Sequence, residues 1–145
     1  MRYVENGGNL IVQYNTNNFI SSTKSMIGPY PFKITRDRVT DENAAVTFLK
    51  PDHMILNKPN KISKSDFDFW VQERGLYFAS ELAPEYETIL SWNDAGEKPL
   101  EGGLIVAKKE KGYFMYTGIS FFRELPAGVP GAYRLLVNMI FAGEK

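Results

Sequence analysis

The pattern of apolar and polar positions predicts strands that alternate with a few helices. Residues 2–8, RYVENGG, are typical of the end of a helix with a glycine stop, and the apolar residues 10–12 then predict a buried strand. A helix that ends near Asn6 has only about five residues, which is short for an isolated helix. We therefore expect the chain to be a fragment of a larger protein, truncated within a helix at its N-terminus; the alternative is a frayed N-terminal turn that packs on the core.

Polar and turn-forming residues dominate the next part of the chain. Residues 15–33 are rich in Asn, Ser, Thr, Gly and Pro and are predicted to form a loop. Short strands around a polar turn at residues 40–43 are predicted from the apolar positions Ile34, Val39, Val46 and Phe48. Residues 50–62 contain two prolines and predict an extended connector.

The stretch SKSDFDFWVQERG predicts a short helix. Ser65 would cap it, because a serine hydroxyl can bond the free N–H groups of a first turn. Phe67, Trp70 and Val71 are three and four residues apart and would form one apolar face. Gly75 would end the helix.

The last third of the chain predicts strands followed by a helix. Residues 76–80 and 86–92 are strand candidates, and residues 104–118 predict a β-hairpin with its turn at 109–112. Together with the earlier elements, these predict one α/β domain over residues 1–145, with a mixed β-sheet, a β-hairpin and few flanking helices.

The final helix begins near Pro130, which suits a first helical turn, and Gly143 would end it. We expect this helix to be largely buried. Its predicted apolar positions are Tyr133, Leu136, Val137 and Ile140, widened by Leu135, Met139 and Phe141.

Charge and cysteine content exclude several classes of function. Lys plus Arg and Asp plus Glu each number 17, so nothing predicts a basic face for nucleic acid. The absence of cysteine excludes disulfides, thiol nucleophiles and thiolate metal sites. The longest apolar stretches are too short to insert across a membrane, so we expect no membrane insertion.

The sequence contains no recognisable catalytic motif. His53 is the single histidine and has no second histidine nearby, so we interpret it as a loop residue and expect no metal or other cofactor. A magnesium or calcium site built from carboxylates alone stays an alternative. Ser120, which follows a predicted strand, is the nearest candidate for a nucleophile, but no GxSxG motif surrounds it. We therefore assign no catalytic residue, while a hydrolase built on unidentified carboxylates stays an alternative.

Arg123 and Glu124 follow the predicted hairpin directly. If residues 113–118 form a strand of a parallel or mixed sheet, these two residues lie beyond its carboxyl end, where open α/β sheets bind ligands. They would then form a small polar pocket. Alternatively, an Arg–Glu pair would tie this loop to a neighbouring segment.

Aromatic residues make up 14% of the chain. Most are expected to fill the core, since large rings bury large areas. A subset would instead line a carbohydrate-binding surface, and the candidates are Trp70, Tyr77 and Trp92, with Arg74 or Arg123 beside them.

Four long phrases carry a resemblance to a known family: YVENGGNLIVQYN, GPYPFKITRDRVTDENAAVTFL, FDFWVQERGLYF and GISFFRELPAGVPGAYRLLVNMI. They resemble the C-terminal region of bacterial PIG-L (LmbE-like) N-acetylglucosaminyl deacetylase-related proteins. The resemblance implies a parent protein that removes N-acetyl groups with a divalent metal, and that is often exported or periplasmic. The family's His-Pro-Asp-Asp metal motif has no counterpart here, since PDH at 51–53 does not match it.

The opening and closing segments also resemble the later part of a class I glutamine amidotransferase-like, flavodoxin-related domain. The nucleophilic cysteine of active amidotransferases is missing, so glutaminase activity is not implied. The two resemblances together imply a non-catalytic accessory domain. It would partner the deacetylase catalytic domain of the same parent chain or hold a glycan near it, and we expect some tendency to self-associate.

Overall fold

Short helices and strands follow one another in the computed structural model, which describes residues 1–14, 22–25 and 27–144, with the backbone only for 22–25. The helices are α1 (Arg2–Glu5), α2 (Met54–Asn57), α3 (Phe121–Glu124) and α4 (Pro130–Ile140), and a 3₁₀ helix spans Lys64–Phe67. The strands are β1 (Asn9–Gln13), β2 (Ser22–Ser25), β3 (Phe32–Thr35), β4 (Thr47–Phe48), β5 (Ala79–Ser80), β6 (Glu87–Thr88), β7 (Leu90–Ser91), β8 (Leu104–Lys109) and β9 (Gly112–Thr117).

A mixed four-stranded sheet organises the described residues, in the order β1-β9-β8-β6. β1 runs parallel to β9, whereas β8 is antiparallel to both β9 and β6. A second, antiparallel sheet has the order β2-β3-β5, and β4 pairs with β7. The predicted α/β class, mixed sheet, few helices and hairpin are confirmed.

Two hydrophobic cores lie on opposite faces of the central hairpin. Leu104, Val106 and Met115 face one core, which includes the inner side of α4. Phe114 and Tyr116 face the other core, together with β3 and the ring of Tyr86. Because both faces are covered, β8 and β9 read as continuous apolar runs rather than as alternating strands.

The helix predicted for residues 63–75 is wrong beyond its first turn. Only the 3₁₀ helix forms, and its first residues are held by a bond from the Ser63 N–H to Asp66 Oδ2 (2.8 Å), not by Ser65. Phe69 and Gln72 then take left-handed backbone angles (φ 63° and 66°), which a right-handed helix cannot contain. This irregular path lets Trp70 enter the core.

Several strand and loop boundaries also differ from the predictions. Only Ala79–Ser80 is a strand within residues 76–80, and residues 86–92 divide into β6 and β7, which pair with different partners. The predicted loop at 15–33 contains β2 and the start of β3, while residues 15–21 and 26 lie outside the described residues. The predicted extended connector contains α2.

The final helix is confirmed, but its inner face is rotated from the predicted one. The buried residues of α4 are Gly131, Ala132, Leu135, Asn138 and Met139. Tyr133 and Ile140 are about half exposed, at 48% and 49%, as is the adjoining Phe141 at 45%. The reason is Gly131, whose backbone lies so close to Asp66 of the 3₁₀ helix that a Cβ would stand 1.7 Å from the Asp66 carbonyl oxygen.

Candidate functional site

The carboxyl ends of β1 and β9 meet residues 73–78 at one corner of the central sheet. Leu76 donates from its N–H to Gly118 O (2.9 Å), and Ser120 donates from its N–H to Arg74 O (3.1 Å). The backbones approach so closely that a Cβ on Gly75 would lie 2.3 Å from Gly118 O. The side chains of both segments are thereby brought to the place where open α/β sheets bind ligands.

Arg74 is buried at this corner and bonds only main-chain oxygens. Its Nη1 donates to Phe67 O (2.6 Å), and its Nη2 and Nε donate to Ala44 O (2.8 and 3.2 Å). Its guanidinium carbon lies 5.3 Å from the ring centre of Trp70. Burial lowers the pKa of Arg74 to about 10, which still leaves it charged at neutral pH. Arg74 therefore joins three segments of the loop region instead of facing solvent.

Glu124 is the buried carboxylate of the corner. Its Oε2 accepts a hydrogen bond from the Val71 N–H (2.9 Å), and its Oε1 lies 3.4 Å from the Ser120 hydroxyl. Burial is the largest cause acting on the Glu124 pKa and raises it above its ordinary value. Ser120, the nucleophile candidate, is itself fully buried and also lies within hydrogen-bond distance of Glu73 O (3.1 Å).

Arg123 makes the ion pair that joins α3 to the neighbouring segment. Its Nε donates to Glu73 Oε1 (3.0 Å), and its guanidinium lies 4.9 Å from the ring centre of Phe122. The predicted Arg–Glu pairing of this loop thus involves Arg123 with Glu73, a residue that the sequence did not single out. The one sequence feature that points to Glu73 is its position directly before Arg74.

Tyr14 completes the corner from the end of β1. Its ring contacts Tyr77 and Phe122 edge-on, with ring centres 5.3 and 4.6 Å away. Burial, followed by the Glu73 carboxylate, raises the pKa of Tyr14 to about 12. Both Tyr14 and Tyr77 have left-handed backbone angles (φ 47° and 57°), which L-residues rarely adopt. The sequence did not indicate Tyr14.

The structure places Trp70 and Trp92, the predicted surface rings, in the core. Their exposed fractions are 4% and 1%, and their ring centres lie 6.3 Å apart. Trp70 also donates from Nε1 to Asp66 O (2.9 Å). They cannot form an exposed row with Tyr77, because the irregular path after the 3₁₀ helix turns Trp70 inward.

Exposed apolar side chains lie on the two segments that carry the buried polar groups. Phe69 is 86% exposed, Phe122 is 49% exposed and Val71 is 36% exposed. Phe69 and Val71 lie on the loop that Glu124 joins to α3 through the Val71 N–H, and Phe122 lies on α3 itself. We call Phe69, Val71 and Phe122 the corner surface.

His53 lies apart from the corner, in a shallow cavity of about 350 Å³ that Glu87, Lys108 and Tyr113 also line. Its Nδ1 accepts the Ile55 N–H (3.2 Å) and so caps α2. Its Nε2 lies 3.9 Å from Glu87 Oε2. Burial is the main cause that lowers the pKa of His53. The side chain is structural at the start of a helix.

Metal and membrane features are absent from residues 1–14, 22–25 and 27–144. Within these ranges, no group of three or more His, Asp or Glu side chains could hold a metal ion. No helix formed by the same residues has the length and apolar content to cross a membrane.

Comparison with known proteins shows a similar fold in a solved structure. No protein-family model and no curated protein sequence matches the chain. A solved structure, the cytoplasmic protein STM3548 from Salmonella typhimurium, aligns with a TM-score of 0.51 at 16% identity. The alignment covers 96% of this chain and 56% of that one, so this chain spans little more than half the length of that protein. At this identity the likeness concerns the fold alone.

Proposed function

We propose that the chain is a non-catalytic accessory domain of an LmbE-like (PIG-L) deacetylase-related protein that acts on N-acetylglucosamine-type glycans. Its role is to support or position the deacetylase domain. The observation that carries this proposal is the use of the polar groups at the sheet corner. Arg74, Ser120 and Glu124 are buried, and each bonds main-chain groups of neighbouring loops. The corner is a packed junction that presents the corner surface outward.

The finer fold assignment is part of the same proposal. We infer an amidotransferase-like, flavodoxin-related domain. Two features support this: the parallel pairing of β1 with β9, and the buried helix α4 that follows β9 and packs on the same core. The resemblance of the opening and closing segments to that class is a third support.

Binding to the deacetylase domain of the same protein is the direct test. The two parts would be expressed as separate polypeptides and titrated by isothermal calorimetry. The double variant Phe69→Ser, Phe122→Ser should abolish the binding heat, because exposed apolar clusters mark docking surfaces. Phe141→Ser is the matched control, since Phe141 is 45% exposed and lies outside the corner surface.

Two results would contradict the accessory role. One is acetate release from N-acetylglucosamine oligomers by this chain alone in the presence of zinc. The other is equal loss of binding in the double variant and in Phe141→Ser.

A glycan contact is the second candidate function, and one observation favours it. Tyr14, Tyr77 and Phe122 form an aromatic cluster beside the Arg123–Glu73 pair, and sugars bind where rings lie next to charged hydrogen-bonding groups. A titration of the labelled chain with N-acetylglucosamine oligomers would show NMR shifts at these residues. Phe122→Ala should remove those shifts, because it deletes one ring of the cluster. Trp92→Ala should not remove the shifts of these residues in particular, because the Trp92 ring is buried and cannot contact a glycan.

A further inference from the structure

The central sheet and the residues that begin α2 border the shallow cavity of about 350 Å³ that contains His53. Glu87 of β6 lies opposite Val106 of β8, and Lys108 of β8 lies opposite Tyr113 of β9. Opposing residues project on one face of a sheet, and so do residues two apart on one strand. These four side chains therefore form one wall of the cavity, and residues 52–54 form the other. Small-ligand sites have volumes of about 300–1,000 Å³, so the cavity can hold a small molecule.

His53 brings one hydrogen-bond donor of fixed position to this cavity. Its Nδ1 accepts the Ile55 N–H (3.2 Å), and its lowered pKa leaves the ring neutral at pH 7. In a neutral imidazole whose Nδ1 is an acceptor, the proton is on Nε2. The side chain is 12% exposed, and Nε2 makes no hydrogen bond to any residue that the structure describes. The Nε2–H group is therefore available to a ligand.

Glu87 places an acceptor opposite that donor. Its Oε2 lies 3.9 Å from His53 Nε2, which is too long for a hydrogen bond, and it accepts a bond from Lys50 Nζ (2.7 Å). An oxygen atom about 2.8 Å from both His53 Nε2 and Glu87 Oε2 would bridge this gap. A hydroxyl can accept from Nε2–H and donate to the carboxylate through one oxygen, whereas an ionised carboxylate only accepts and an ammonium only donates. The pair therefore selects a hydroxyl.

The rest of the lining suits a molecule that carries several hydroxyls on a carbon skeleton. Lys108 contributes an ammonium group and Tyr113 a phenolic hydroxyl, and neither group bonds another residue within the described part of the chain. Val106, which is 2% exposed, and the partly buried Met54 supply apolar contact for carbon-bound hydrogens. A few polar groups beside apolar side chains are typical of sites for small molecules.

The charged side chains in and beside the cavity balance, two of each sign: Lys50 and Lys108, Asp52 and Glu87. A charged ligand would therefore gain no net attraction from them. We propose that the cavity binds a neutral polyhydroxylated molecule, the size of one sugar ring or cyclic polyol, with one hydroxyl bridging His53 Nε2 and Glu87 Oε2. The cavity shares no residue with the corner surface, so this proposal does not rest on the accessory role.

NMR titration of the ¹⁵N-labelled chain with myo-inositol and with D-glucose tests the class of ligand. We expect saturable shifts at the amides of Ile55, which bonds the same imidazole, and of Lys108 and Tyr113. Acetate and acetamide are the competing probes, since acetate only accepts and acetamide accepts and donates through different atoms. The absence of saturable shifts with both polyols would overturn the proposal. An affinity for acetate or acetamide that equals or exceeds that for the polyols would also overturn it.

Substitutions at the two bridging residues locate the site in the same titration. His53→Asn keeps an oxygen that can cap α2 but removes Nε2–H, and Glu87→Ala removes the acceptor; each should weaken polyol binding about tenfold or more. Glu81→Ala is the matched control, because Glu81 pairs with Lys33 at the same 2.7 Å that separates Glu87 from Lys50, and it lies outside the cavity. Unchanged affinity in His53→Asn or Glu87→Ala, or an equal loss in Glu81→Ala, would refute the bridge.

Discussion

At the scale of single residues, buried polar side chains decide how the loops of the sheet corner are held. Glu124 receives the Val71 N–H from one loop and lies beside the Ser120 hydroxyl at the start of its own helix. Arg74 similarly bonds the carbonyls of Ala44 and Phe67. Removing such a side chain leaves the groups it bonded buried without a partner.

Glu124→Ala should lower the free energy of unfolding by about 2–3 kcal/mol, because the Val71 N–H would be buried and unpaired. Glu124→Gln keeps a carbonyl acceptor and should cost less. Urea unfolding followed by circular dichroism measures both. Equal losses in the two variants would show that the Val71 bond is unimportant.

The pH dependence of Glu124 has a defined sign. Its pKa is raised above its ordinary value of 4.5, so the folded state holds the proton at a higher pH than the unfolded state does. Its contribution to stability is therefore present below pH 4.5 and is lost as the pH rises through the folded-state pKa. The unfolding free energy of wild type minus that of Glu124→Gln should fall as the pH rises. A difference that does not change with pH would contradict this.

His53 should have the opposite dependence. Its pKa is lowered from 6.5, mainly by burial, and protonation of Nδ1 would remove the acceptor that caps α2. The unfolded state binds the proton more readily, so stability falls as the pH drops below 6.5. His53→Asn keeps a capping oxygen without titrating, and its urea midpoint should decline less than that of wild type. Parallel declines in the two proteins would refute this role.

At the scale of elements, the contact between α4 and the 3₁₀ helix sets which face of α4 is buried. Gly131 lies against the Asp66 backbone, and one turn later Arg134 Nε lies 2.8 Å from Asp66 Oδ1. Asn138, fully buried, donates to Ile55 O and Asn60 O (both 2.7 Å). These contacts orient the helix more strongly than its apolar pattern does.

Gly131→Ala should destabilise the protein by more than about 2 kcal/mol, although alanine favours a helix over glycine by about 1 kcal/mol. The added Cβ would stand 1.7 Å from a backbone oxygen that cannot move alone. Gly128→Ala is the control, because a Cβ there meets nothing within 4 Å and only the φ of +74° opposes it. Thermal unfolding ranks the two, and the reverse order would contradict the close approach.

At the scale of the whole molecule, the main-chain amides of the central sheet should be protected in its interior and less protected at the outer edge of β1. Amide hydrogen exchange by NMR separates the two. The amides of Leu10, Val12 and Tyr14 face β9 and should exchange slowly at every protein concentration. The Ile11 amide points away from β9 and should exchange faster than these three amides. Equal protection of Ile11 and Leu10 would contradict an open edge at β1.

Local patterns predicted the regular elements well, and failed where the chain departs from regular geometry. The β1 strand, the β8–β9 hairpin and α4 follow from apolar runs and turn residues. The path from Phe69 to Tyr77 does not, because left-handed angles at non-glycine residues are stabilised only by the contacts that surround them. The sequence predicted Arg123 and Glu124 as one polar group, whereas Arg74, Glu73 and Tyr14 come to lie beside them only through folding.

By itself, the sequence determined the α/β class, the mixed sheet and the polar cluster after the last strand, because periodicity and turn chemistry act over a few neighbouring residues. The tertiary structure alone decided that Trp70 and Trp92 are buried and that β1 lies at the edge of its sheet. It also decided which face of α4 is buried, through the close approach of Gly131 to Asp66. Each of these depends on residues far apart in the chain, and their packing outweighs local preference.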